Sequence, residues 1–326
     1  MCKDGTGRDE LLENVERYRI VSSLISDFAY GFRVGPDGEL TREWVTGAVL
    51  DMTGYSAQEF IARQGWSALA HPDDAQAARK QLAELLAGDV AVIDFRLVRK
   101  DGSARWVRDY ARPVKDPATG RVVRIYGAVQ DISKRKEAEE VQSVLLNVSQ
   151  AVSDSHNLGE LLATIHSELG RLIDTTNFYV ALYHRETGKY TFPYHVDQFD
   201  DNEEIAPVTL EKSLTDYVRR LGRAQMIDEV SFQRLVDNGD VELIGAPSSI
   251  WLGVPLTTGG EVIGVVAVQS YQERSPYTER DFQVMTFVSD NIAMAIERKL
   301  AEQERLALEA QIRHAQKLES LGVLAG

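Results

Sequence analysis

The sequence is nearly without cysteine. Cys2 is the one thiol among 326 residues, so an internal disulfide framework and a cysteine-built zinc site are both excluded. Long apolar runs are also missing. The longest, Val262–Val268, is far short of a membrane span and reads instead as a buried strand. The first ten residues, MCKDGTGRDE, hold no apolar core of a secretory signal. Excess positive charge is absent too: 36 Lys and Arg stand against 50 Asp and Glu, a net −14. Such a chain is a poor partner for phosphate backbones, which argues against nucleic-acid binding. These features together predict a cytoplasmic protein with no membrane span.

What is present suggests two modules in series. Residues 1–131 carry 18 basic and 20 acidic side chains, whereas residues 132–326 carry 18 and 30. The densest acidic stretch, Asp197, Asp200, Asp201, Glu203 and Glu204, fits no calcium-loop spacing and reads as a solvated loop. Apolar spacing predicts a leading helix over residues 8–29 and a hairpin of strands Ala29–Val34 and Glu43–Thr46 around Gly35-Pro36-Asp37-Gly38. A helix over 75–87 should stop at Gly88. Three strands, Ala91–Arg99, Arg105–Val114 and Arg121–Gln130, would complete a five-stranded antiparallel sheet. Residues 132–155 return to helix. Ala138, Val141, Leu145, Val148 and Val152 recur there at steps of three and four. That pattern fits either a helix packed on its own domain or a dimer seam, and the seam is the expectation.

The second module opens with a helix over about 158–173. Strands follow at 177–183 and 189–196, and a helix near Leu214–Leu221 ends at Gly222. Two strongly apolar strands, Ile250–Leu256 and Glu261–Ser270, come late. From Thr278 no proline or glycine appears until Gly322, so a helix of about forty residues should project from the domain. Ile292 and Ile296 keep an apolar face, which thins beyond Leu300 to Ala307, Ala310 and His314.

No G-x-x-x-x-G-K-[ST], H-E-x-x-H or G-x-S-x-G occurs. Asn147-Val148-Ser149 matches a glycosylation sequon but falls on a predicted helix of a cytoplasmic chain. The six histidines are scattered. His195 reads either as an axial haem ligand or as a polar strand-end residue, and the latter is the expectation. His71 reads as a loop or capping residue, and His314 lacks the surroundings of a phosphoacceptor. No catalytic residue and no metal site is assigned.

Two groups of motifs carry a resemblance. Trp44, Leu50-Asp51-Met52-Thr53-Gly54-Tyr55-Ser56, Glu59 and His71-Pro72-Asp73-Asp74 come first. Phe95–Ser103, Trp106-Val107 and Gly127–Lys136 follow in order. Together they resemble a PAS domain with its C-terminal motif, over residues 14–136. Asn177–Tyr183, Phe192-Pro193-Tyr194, Leu214–Val218, Gly245–Ser248, Trp251–Leu256 and Gly264–Ser270 resemble a GAF domain, over 156–300. Gln316–Gly326 resembles the start of the dimerisation helix of a sensor histidine kinase, just ahead of the phosphoacceptor position.

The resemblance implies an α+β chain in five parts. These are a tail and start of the leading helix (1–13), the PAS domain (14–136), a helical linker (137–155), the GAF domain (156–300) and a signalling helix (301–326). Long coiled-coil-like helices would join and follow the two domains. It implies the signal-sensing and relay region of a two-component sensor histidine kinase: a homodimer that binds a small ligand and acts on an autokinase core outside this chain. That core would bind ATP and hand its phosphoryl group, in a phosphorelay, to a response regulator. A stand-alone non-catalytic interaction module, or the input half of a nucleotide cyclase, remains as an alternative.

Pocket candidates are Phe32, Trp44, Trp66, Leu82, Phe95 and Tyr126 in the first domain. In the second they are Phe178, Tyr194, His195, Tyr217 and Trp251. The cofactor stays open. The helical region has no cysteine for a flavin adduct, Cys2 is a poor bilin anchor without the phytochrome histidine motifs, and haem rests on His195 alone. The cyclic-nucleotide signature of some GAF domains is absent.

Overall fold

The computed structural model describes residues 27–46, 49–62, 69–199, 206–272 and 277–324, with side chains described to 314 and at 316. The chain divides into two compact units, 1–138 and 139–326.

In the first unit, strands β1 (Phe28–Val34) and β2 (Leu40–Val45) form the expected hairpin. Helices α1 (Val49–Thr53), α2 (Ala57–Ala62) and α3 (Ala75–Ala87) lead to strands β3 (Ala91–Val98), β4 (Ala104–Lys115) and β5 (Val122–Asp131). The sheet order is β2-β1-β5-β4-β3, antiparallel throughout. Gly88 stops α3 in the left-handed conformation (φ 98°), as the sequence predicted. The predicted helix over 8–29 is corrected at its end, because Phe28 and Ala29 pair with β5 as strand. Its residues 8–26 lie outside the described residues.

One face of this sheet carries the core. Phe28, Tyr30, Phe32, Phe95, Leu97, Val107, Ile125 and Val129 pack there with Ala78 and Leu85 of α3 and Phe60 of α2. The opposite face is half bare: Trp44, Tyr110 and Tyr126 are exposed. Hence β4 alternates buried and open positions over residues 107–111, the mark of a sheet with one solvated face.

Helix α4 (Ser133–Asp154) leaves β5 through a capped junction. Asp131 Oδ1 accepts from the Ser133 amide (2.8 Å), and the Trp106 amide donates to Ser133 Oγ (3.2 Å). In the second unit follow α5 (Leu158–Leu169), β6 (Phe178–His184), β7 (Lys189–Val196), α6 (Leu214–Leu221), β8 (Gln225–Asp228) and α7 (Glu229–Asp237). Strands β9 (Ile250–Thr258) and β10 (Glu261–Ser270) and helix α8 (Glu279–Leu324) complete it. The sheet order is β7-β6-β10-β9-β8. Strand β8 and helix α7 were not foreseen, since a four-residue strand is too short to show alternation.

Both faces of this second sheet are covered. Ile250, Leu252, Val254 and Leu256 of β9 join Val266 and Val268 of β10 against α4, α5 and α8. Trp251, Val265 and Ala267 point the other way, to Val218 of α6 and Ile227. Two-sided burial explains the unbroken apolar run of both strands. Pro255 lies past the last pairing of β8 with β9, so its missing amide hydrogen costs no ladder bond on that side.

The seam expectation changes here. Val148 and Val152 are buried in the second unit's own core, and Val141 and Leu145 pack against it; Ala138 is exposed. The apolar steps of α4 are thus those of a helix packed on its own domain. Helix α8 runs 46 residues, about 69 Å at the usual rise. Its first turns bury Met285, Val288, Ile292, Ala293 and Ile296. Lys299 is almost fully buried and donates through Nζ to the carbonyl oxygens of Val152 and Ser155 and to Glu302 (2.7 Å). It therefore satisfies end carbonyls of α4 that the helix itself leaves open. No helix among the described residues is long and apolar enough to cross a membrane.

Candidate functional site

The second unit holds a cavity of about 490 Å³, within the size range of small-ligand pockets. Its floor is the sheet face away from α8. Tyr179 of β6, Phe192 and His195 of β7, Trp251 of β9 and Gln269 of β10 line it there, and Phe178 borders it with its ring turned to the opposite face, stacked on His166. The far wall is Ser213, Leu214 and Thr215 at the start of α6, with Ile227 and Phe232, and residues 242–248 border the mouth. Helix α6 is held by its N-cap, where Ser213 Oγ accepts from the Asp216 amide (3.0 Å).

Two polar networks are built into this wall. Trp251 Nε1 donates to Tyr179 Oη (3.0 Å), which pairs with Thr215 Oγ1 (2.9 Å). Burial pushes the Tyr179 phenol above its ordinary pKa, so it stays protonated. At the other end, Tyr271 Oη (2.8 Å) and Gln269 Nε2 (2.9 Å) donate to Asp197 Oδ2. These groups satisfy one another. His195 differs: its Nε2 is buried and has no hydrogen-bond partner among the described residues.

Of the five residues expected here, His195 and Trp251 line the cavity and Phe178 borders it. Tyr194 and Tyr217 do not. Strand alternation turns Tyr194 to the opposite face, where its hydroxyl meets His166 Nδ1 (3.0 Å). Tyr217 packs among Val218, Ile227 and Trp251. Sequence reading missed Thr215, Phe232, Gln269 and Tyr271, of which Phe232 and Tyr271 lay outside every quoted motif.

The first unit brings its candidates together less well. Phe32 and Phe95 are fully buried and Leu82 packs against the same core. Trp44 and Tyr126 stack at 5.9 Å on the outer face, flanking Gly31, and so line no interior pocket. Their position is set by strand parity. A Cβ on Gly31 would lie 2.4 Å from the Trp44 indole nitrogen, so glycine leaves the space that ring occupies. Trp66 lies outside the described residues.

The interior of that unit holds a buried polar group. Asp109 is fully buried and accepts from Tyr30 Oη (3.0 and 2.9 Å) and Gln81 Nε2 (2.9 Å). Burial pushes its carboxyl up to about 7. His71 sits ahead of the short helical turn Pro72–Asp74, its Nδ1 facing the Asp73 amide (3.4 Å), in the capping place expected of it. No group of three or more metal-ligating side chains occurs among the described residues.

Comparison with known proteins agrees with this division. Residues 42–129 match the family model of the PAS fold, and residues 155–297 match that of the GAF domain. An uncharacterised protein of Sinorhizobium fredii, y4lL, is 29% identical over 133 residues, 40% of this chain and 15% of its own length. The chain thus spans a small part of that curated relative.

Among solved structures, the GAF domain of a phosphoenolpyruvate-protein phosphotransferase from Coxiella burnetii is 14% identical. That match covers 51% of this chain and 98% of that one, at a TM-score of 0.41. A sensory box histidine kinase/response regulator from Burkholderia thailandensis is 22% identical, over 39% of this chain and 93% of that one, at 0.31. The chain carries a PAS domain followed by a GAF domain, each an antiparallel five-stranded sheet with flanking helices.

Proposed function

We propose that this chain is the cytoplasmic sensory and relay region of a homodimeric sensor histidine kinase, and that the GAF cavity is its ligand site. The observation that carries the reading is the two-sidedness of β9. Trp251 faces the cavity, while its neighbours Leu252, Val254 and Leu256 pack with the residues that seat α8. A ligand that shifts β9 by a fraction of an ångström must repack that core. Packed cores respond by switching between discrete arrangements rather than by bending. Helix α8 carries the change outward, and an autokinase core with its ATP and its response regulator would read it as a population shift.

The dimer seam is assigned to α8 rather than α4. Phe287, Met294, Ala301 and Leu308 recur every seven residues, and all four are exposed. One apolar position per heptad supplies half of the a/d pattern of a coiled-coil seam, and the proposal is that these four residues meet their copies in a second chain. The double substitution Phe287→Glu with Met294→Glu should turn a dimer into a monomer by native mass and leave the circular dichroism of the domains intact. Unchanged mass would refute the seam. Fused ahead of a histidine-kinase core, the wild-type chain should support autophosphorylation and the double variant should not.

A further inference from the structure

The charge and polarity of the GAF cavity restrict what it holds. Three carboxylates, Asp197, Glu229 and Glu242, are among its described lining side chains, and no lysine or arginine is among them. Glu242 is paired at the rim by Lys212 (2.8 Å), and Asp197 by the hydroxyl and amide of Tyr271 and Gln269. Nothing in the described lining offers an ammonium or guanidinium to a phosphate or a carboxylate. A bound anion would be desolvated next to like charge, which is costly at the low dielectric of a pocket. Haem fits poorly for the same reason, since its two propionates would meet acidic side chains.

The walls, in contrast, suit a flat ring system. Tyr179, Phe192, Phe232 and Trp251 present aromatic surface, and aromatic faces attract both stacked rings and cations. Tyr179, Thr215 and Trp251 are hydrogen-bonded to one another, as are Asp197, Gln269 and Tyr271, whereas the buried Nε2 of His195 has no hydrogen-bond partner among the described residues. A buried polar atom without a partner carries a desolvation cost that a ligand hydrogen bond removes. An imidazole nitrogen accepts or donates according to its tautomer, so it pairs with a ring N–H or a ring nitrogen equally well.

We infer that the cavity takes an uncharged or cationic planar aromatic heterocycle, anchored by one hydrogen bond to His195 Nε2, and that it excludes nucleotides and other anions. This rests on the reading of the cavity as a ligand site.

The test uses proflavine, a flat three-ring cation, as the probe, with cyclic AMP and cyclic GMP as anionic comparators. Binding to the full chain is followed by quenching of tryptophan fluorescence and by calorimetry. Saturable one-site binding of proflavine is expected, with neither cyclic nucleotide binding at a hundredfold higher concentration. His195→Phe should weaken proflavine roughly three- to tenfold, the worth of one neutral hydrogen bond. Ala246→Trp, at the mouth of the cavity, should abolish binding with the circular dichroism unchanged. If a cyclic nucleotide binds as tightly as proflavine and Ala246→Trp removes it, the site stands and the ligand class is refuted. If proflavine fails to bind, or binds Ala246→Trp as well as wild type, both are refuted. Binding that ignores His195→Phe refutes the anchor.

Discussion

The two sheets of this protein have the same strand order, 2-1-5-4-3 in local numbering, yet a buried polar network sits against one and a cavity opens against the other. In the PAS domain, aromatic rings and the Tyr30–Asp109–Gln81 network occupy the interior, and the other face stays half bare. In the GAF domain, helices cover one face tightly and stand off the other, leaving a cavity of about 490 Å³. The same topology thus serves different ends. What differs is the set of side chains on one parity of the strands. A buried acid with satisfied partners rigidifies the first core, and the second sheet leaves one buried imidazole nitrogen, Nε2 of His195, without a hydrogen-bond partner among the described residues.

The sharpest way to break the PAS sheet is at Gly127. A Cβ there would lie 2.1 Å from Cζ of Tyr30, so the ring rests directly on this strand. Gly127→Leu should destabilise the PAS domain by about 4 kcal/mol or more, read as an early transition in calorimetry while the GAF transition holds.

Next in size is a pH effect confined to the same domain. The folded carboxyl of Asp109 titrates at about 7, above the roughly 4 of an unfolded aspartate. The folded state therefore holds more protons between those values. The contribution of Asp109 to PAS stability should be full below about pH 4, fall by roughly 4 kcal/mol as pH rises to 7, and be lost above. Urea melts across that range should show the slope in wild type, and Asp109→Asn should flatten it.

In the GAF domain, Lys299→Met removes the donor to Val152 and Ser155 and leaves end carbonyls of α4 open. A loss of about 2 kcal/mol in GAF stability is expected, measured by urea denaturation. The smallest effect belongs to the exposed ion pair Arg305–Glu309 (2.6 Å) further along α8. Arg305→Ala should change the melting transition by less than about 0.5 kcal/mol.

The elements most legible in the sequence were those that end on punctuation. Gly88, Gly222 and the Lys100–Ser103 turn sit where the pattern put them, because a positive φ or an Asx turn leaves few other choices. The β4 strand was legible because one bare face imposes alternation. What failed was the assignment of faces. The apolar steps of α4 fit a seam and a core helix equally, and only the neighbouring strands decide between them. Trp44 and Tyr126 look like pocket aromatics until strand parity places them outside. In β9 both parities are apolar, so the sequence could not say that Trp251 faces a cavity and Leu252 a helix. His195 was visible as a candidate, but its isolation was not, since a missing partner is a property of the packed fold.

The central claim is that the cavity and the outgoing helix are coupled through β9. Amide hydrogen exchange tests it directly, comparing wild type with Ala246→Trp, in which an indole is placed at the cavity mouth. The account predicts altered protection in β9 and in residues 279–300 of α8, on the far side of the sheet from the substitution. Changes confined to the segments around residues 213–215 and 242–248, with α8 exchanging as in wild type, would contradict it.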